Sequence, residues 1–174
     1  MSELTIPVSE ADHIQGPAKA AATLLEYGDY QCPYCGQAYG VIKDLQATLG
    51  RRMRFVFRNF PLTQAHPFAE LAAEAAEAAA TSGKFWEMHD ILYDNQGDLS
   101  EESIVEFARQ LGLNVSTFVE DIQKRRFRAR VRSDFMGGVK SGVNGTPGFF
   151  INGERYDRPW DYETLLGALS RFTG

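Results

Sequence analysis

A chain of 174 residues, 44% apolar and 24% charged, is ordinary for a globular protein and long enough for one domain with a sizeable core. Its net charge of −5 argues against a general nucleic-acid binder. No run of about 18 apolar residues is present, so no membrane insertion is expected.

Residues 1–15 carry Glu3, Glu10 and Asp12 and no apolar stretch of the leader type. The expected setting is therefore the cytoplasm, or an extracytoplasmic compartment if a leader has been removed. A short edge strand is expected around Leu4–Val8 or His13–Gln15. The run from Ala22 to Tyr30 reads as a buried strand ending in a turn, with one acid, Glu26, among apolar neighbours. Ala38, Val41, Ile42, Leu45 and Leu49 then recur at helical spacing, and Gly50 ends that helix. Gly40 inside it suggests a bend, a close approach or a tolerated cost. Arg54–Phe60 alternates aromatic or β-branched residues with polar ones and predicts a second core strand, stopped by Pro61.

The character then changes. An alanine-rich helix opens at His66-Pro67-Phe68 with Glu70, Glu74 and Glu77 on one face, and a short helix follows at Phe85–Tyr93. His89 in that helix reads as a packed, hydrogen-bonded core residue, and His13 as a surface one. Ser100 and Asn114 cap two further helices. Lys124, Arg128 and Arg132 would line one face of a helix, their stems on apolar surface and their heads paired with nearby glutamates. From Ser141 strand signals return: Phe149-Phe150-Ile151, a two-residue Asn152-Gly153 turn, and Glu154-Arg155-Tyr156 pairing back. Asp161 caps a last helix to Phe172.

The only two cysteines, Cys32 and Cys35, sit at the strand-to-helix junction as Cys32-Pro33-Tyr34-Cys35. Pro33 fits the first helical turn because its missing N–H would have no partner there. Unpaired N–H groups at a helix start favour a thiolate, the form that attacks disulfides, and a second sulfur one turn on can close a disulfide with it. A structural zinc site needs about four ligands, whereas no further cysteine exists and His13, His66 and His89 are scattered singly. The pair reads as redox-active, with no metal.

The stretches Glu26–Cys35 and Gly145–Gly153, with Phe85–His89 between them, resemble the DsbA-like branch of the thioredoxin superfamily over about residues 13–172. The resemblance implies an α/β thioredoxin fold, discontinuous over 1–62 and 141–174, with an inserted α-helical domain at 63–140 overhanging the active site. It implies thiol–disulfide exchange through Cys32 and Cys35 with no cofactor beyond their own disulfide. It makes Glu26 the buried acid, with a raised pKa suited to relaying a proton. It also implies that Pro147 is cis beside the cysteines, Thr146 offering its backbone to a substrate strand. Pro33, Tyr34, Thr146 and Pro147 are the expected substrate-binding positions. Cys32 is expected exposed and Cys35 shielded.

Pro-Tyr between the cysteines is the glutaredoxin dipeptide, where strongly oxidising relatives carry Pro-His. Tyr34 cannot add the positive charge of a histidine, which implies a milder oxidant. Partners are expected to be protein thiols and disulfides or glutathione-type small thiols, met by a monomer. Three other classes compete: a glutathione-dependent transferase or isomerase of the kappa-like branch, a redox-inactive peptide-binding module, and a zinc-binding structural domain. Cys35 weighs against the first, which needs a single nucleophile.

Overall fold

Two neighbouring strands form the spine of the sheet because their residues are apolar enough to be covered on both sides. They are β2 (Ala22–Gly28) and β3 (Met53–Asn59), paired in parallel from Ala22 opposite Met53 to Gly28 opposite Asn59. The computed structural model describes residues 2–174; residue 1, counted above in the first segment, lies outside them. β1 (His13–Gln15) pairs antiparallel with β3, β4 (Gly148–Ile151) with β2, and β5 (Glu154–Tyr156) with β4. The order is β1-β3-β2-β4-β5. Residues 4–8 form no strand; only Glu3 makes an isolated bridge, to Glu154.

One face of the sheet carries Leu24, Phe55, Phe57 and Phe149 and packs on α1 (Pro33–Leu49), α7 (Tyr162–Thr173) and the inserted helices. The other carries Leu25, Tyr27, Val56 and Phe150, covered by Phe135 and the N-terminal residues Leu4 and Val8. β3 is therefore a core strand, as the pattern of Arg54–Phe60 predicts, and its polar positions are covered too. Arg58 is buried, and its guanidinium is satisfied by Asp12 at 2.7 and 2.9 Å, Tyr27 Oη and the carbonyls of Ile6 and Pro7. A buried charge persists only when paired and hydrogen-bonded in this way. Gly40 is exposed with nothing near it, which leaves tolerated cost as its explanation.

Between β3 and β4 lie α2 (Ala69–Ala80), α3 (Phe85–Asp94), α4 (Glu101–Gln110), α5 (Val115–Gln123) and α6 (Arg128–Lys140). The side chains of Ser100, Asn114 and Asp161 each accept a backbone N–H at a helix start, as their residue types favour. The basic stretch departs from expectation. Arg125 adopts φ 52°, which breaks the chain between α5 and α6, so Lys124, Arg128 and Arg132 share no single helical face. The glutamate pairing does hold: Arg125 meets Glu74 at 2.6 Å and Glu70 at 3.1 Å, and Arg128 meets Glu70 at 3.3 Å. Asn152 and Gly153 both have positive φ, the backbone that a two-residue hairpin turn requires.

Candidate active site

β2 runs into a tight turn that ends where α1 starts. Cys32 occupies the N-cap with extended backbone, and Pro33 stands at the first helical position. Cys35, one turn in, faces the core at 0% exposure, among the residues packed between α1 and the sheet. Both thiols are free. Cys32 is only 4% exposed, against the expectation of an open sulfur. The loop before β4 accounts for this, since the Thr146 carbonyl oxygen lies 3.7 Å from Cys32 Sγ. The Thr146–Pro147 bond is cis. Beside it opens a shallow depression lined by Tyr34, Gly145, Thr146, Pro147 and Trp160, and Tyr34 stands 62% exposed at its rim. Five of the sequence-predicted residues are thus gathered here: Cys32, Pro33, Tyr34, Thr146 and Pro147.

The two sulfurs differ in charge preference. Cys32 is lowered to about 5 from an ordinary 9.0, first by a hydrogen bond from the Cys35 thiol, against the opposing effect of burial. The N–H groups of Cys35 and Tyr34 at the helix start add to it. Several donors converging on one sulfur at a helix start is the arrangement that stabilises a thiolate. Cys35 moves the other way: burial pushes its thiol well above the ordinary range, as does donating to Cys32. Only the Asp29 N–H, 3.5 Å from Cys35 Sγ, favours its thiolate.

Glu26 sits in β2 opposite Phe57 and Phe149, 1% exposed. Burial raises its pKa to about 8, and negative charge on Cys32 adds to the rise. Its Oε1 has no hydrogen-bond partner, and its charge is felt at Cys35. A carboxyl buried without a partner keeps its proton near neutral pH and is poised to give or take it.

Sequence reasoning assigned no role to four residues that frame this turn. The buried Asp29 carboxylate accepts from the N–H groups of Gln31 (2.8 Å), Cys32 (3.2 Å) and Leu62 (2.9 Å) and contacts His66 Nδ1 at 2.7 Å. Gln31 Oε1 accepts the Phe68 N–H, and Gln96 Nε2 donates to the carbonyls of Tyr30 and Cys32. An acid just before the cysteines was a visible signal for Asp29; nothing in the spacing pointed to Gln96. Of the histidines, His89 is buried against Tyr30 Oη at 2.9 Å, with burial holding its pKa well below the usual range. His13 is not a free surface residue: it contacts Glu77 at 2.9 Å and stacks on Phe85. Among the described residues, no three His, Cys, Asp or Glu side chains gather as a metal site would need.

A family model described as Thioredoxin matches residues 8–171. The chain belongs to the thioredoxin family. Within it, the fold is the DsbA-like one, with helices inserted between β3 and β4. BdbD from Bacillus subtilis superposes with a TM-score of 0.88 over 99% of this chain and 98% of that one, at 21% identity. Wolbachia pipientis alpha-DsbA1 gives 0.82 over 98% and 94%, at 18% identity. Among curated relatives, the Na(+)/H(+) antiporter NhaA 1 of Salinispora arenicola is 43% identical over 174 residues, 99% of this chain. The match takes in 26% of that protein, so this thioredoxin-family chain spans about a quarter of the length of the curated relatives it matches.

Proposed function

We propose that the chain is a thiol–disulfide oxidoreductase in which Cys32 exchanges with substrate sulfur and Cys35 resolves or releases it. The observation that carries this reading is the placement of two free sulfurs one helical turn apart, Cys32 at the N-cap of α1 beside the Thr146 carbonyl and Cys35 fully buried behind it, an arrangement that lowers the Cys32 pKa and raises that of Cys35. In the oxidising direction a substrate thiolate attacks Cys32 Sγ of the closed disulfide. The Cys32–Cys35 bond breaks, and Cys35 leaves and takes a proton, for which Glu26 at about 8 is the adjacent donor. A second substrate thiolate then attacks the substrate sulfur of the mixed disulfide and displaces Cys32 as a thiolate. The substrate departs as a disulfide, and its two electrons stay with the cysteine pair. The reducing direction reverses each step.

Thr146 and Pro147, with Pro33 and Tyr34, would hold the substrate segment, Thr146 by strand-like backbone pairing. A monomer would carry the whole reaction. No step calls for a metal or an organic cofactor. A stabilised Cys32 thiolate favours the oxidising direction, which suits a compartment outside the cytoplasm, and we take that setting over the cytoplasmic one. Residues 63–140 would act as the helical insertion domain over the site. Ion transport is named for the antiporter relatives as whole proteins, of which this chain matches one quarter.

The test is turnover on a peptide with two cysteines. The oxidised protein should convert the dithiol peptide to its disulfide, and a glutathione buffer should recharge the protein for further cycles. A protein that stays oxidised beside the reduced peptide would overturn the proposal.

A further inference from the structure

Gln96 lies in the connection between α3 and α4, and no step of the reaction above uses it. Its single amide nitrogen donates to two carbonyls, Tyr30 O at 2.8 Å and Cys32 O at 2.9 Å. These carbonyls bracket the turn that delivers Cys32 to the start of α1. The other end of the same amide lies against Gly36. A Cβ at Gly36 would fall 2.1 Å from Gln96 Oε1 and 2.8 Å from its amide carbon. Gly36 is helical and is not among the residues with positive φ, so its backbone alone does not call for glycine. Glycine inside a helix is destabilising relative to alanine. Room for the Gln96 amide explains why it stands there.

We propose that Gln96 is a positioning residue for Cys32, holding the carbonyls on both sides of the active-site turn from within the helical insertion, and that Gly36 leaves the space it occupies. The proposal rests on the reading of Cys32 as the nucleophile. The donors that hold the Cys32 thiolate, the Cys35 thiol and the N–H groups of Tyr34 and Cys35, sit in the first turn of α1, so their aim depends on where that turn is pinned. Gln96 pins it together with Asp29, which ties the N–H groups of Gln31 and Cys32 to Leu62 and His66. Hydrogen bonds lose strength steeply as distance and angle degrade, and one shift of the turn degrades several at once.

The experiment titrates the Cys32 thiolate by its ultraviolet absorbance in the reduced protein, with Gln96→Met, Gly36→Ala and the double variant. Methionine keeps the length of glutamine and removes the donor. Each single change should raise the Cys32 pKa by about one unit or more, about tenfold less thiolate at a pH below both values. The double variant should shift no further than Gln96→Met, because Gly36→Ala acts by evicting an amide already gone. A merely structural Gln96 would lower the melting temperature and leave the Cys32 pKa in place, which would overturn the proposal. Additive shifts would overturn the part assigned to Gly36. Should Gln96→Met not fold, Gly36→Ala reads the same displacement with the glutamine still present. The titration needs no substrate, so an unchanged pKa counts against Gln96 alone, while a wild-type protein without exchange activity counts against the enzymatic reading alone.

Discussion

Cys35→Ser should accumulate mixed disulfides with its substrates through Cys32, and Cys32→Ser should form none. At neutral pH a thiol lowered to about 5 is almost wholly thiolate, whereas one raised above 9.0 is less than about 1% thiolate. Removing Cys32 therefore costs at least about a hundredfold in reactive sulfur, and the remaining sulfur is fully buried. Removing Cys35 leaves the attack intact, since a serine hydroxyl can still donate to Cys32. What disappears is the resolving thiol, held one helical turn away at an effective concentration no free thiol matches. Adducts should be visible by non-reducing electrophoresis and released by a reductant, and their masses identify the partners. A Cys35→Ser protein that turns over normally with glutathione and traps nothing would point to the single-nucleophile transferase class.

Glu26→Gln should stabilise the protein at neutral pH while slowing its turnover. The folded carboxyl keeps its proton up to about 8, and the unfolded one only to its ordinary 4.5. Between those values folding takes up a proton, so wild-type stability falls as pH rises through the window. At pH 7 the loss is on the order of 3 kcal/mol, from about 1.4 kcal/mol per pH unit. Glutamine escapes it: the two proteins should be equally stable below about pH 4.5 and diverge steadily toward pH 8. Denaturant unfolding of the reduced proteins across that range checks the slope. Turnover should fall most where the wild-type carboxyl exchanges its proton, near pH 8. Identical pH profiles of rate and stability would reduce Glu26 to a packed strand residue.

Local chemistry in the sequence was enough for the parts of this molecule that local chemistry decides. A lone Cys-x-x-C at a strand–helix junction, helix caps at Ser100, Asn114 and Asp161, and the Asn152-Gly153 turn all lie where residue type and short-range spacing put them. The rest is decided where distant elements meet. The burial of Arg58 depends on Asp12, 46 residues away in the chain, a partner that no local pattern names. Arg125 leaves the helical path and pairs with Glu74 on α2, a contact no periodicity contains. Gln96 is 64 residues beyond Cys32 and has no neighbours in sequence that mark it. Cys32 read as open because helix ends are open, until the Thr146 loop is laid across it.

The measurement that bears most directly on the cysteine pair is its equilibrium with glutathione buffers of graded ratio, followed by trapping of the free thiols. A Cys32 thiolate stabilised to about 5 falls between thioredoxin, whose attacking thiol is near 7, and DsbA, near 3.5. The corresponding potentials are about −270 and −120 mV, so the Cys32–Cys35 couple should titrate as one two-electron step near about −200 mV. A pair that forms no disulfide at any ratio, or one as reducing as thioredoxin at about −270 mV, would contradict the account.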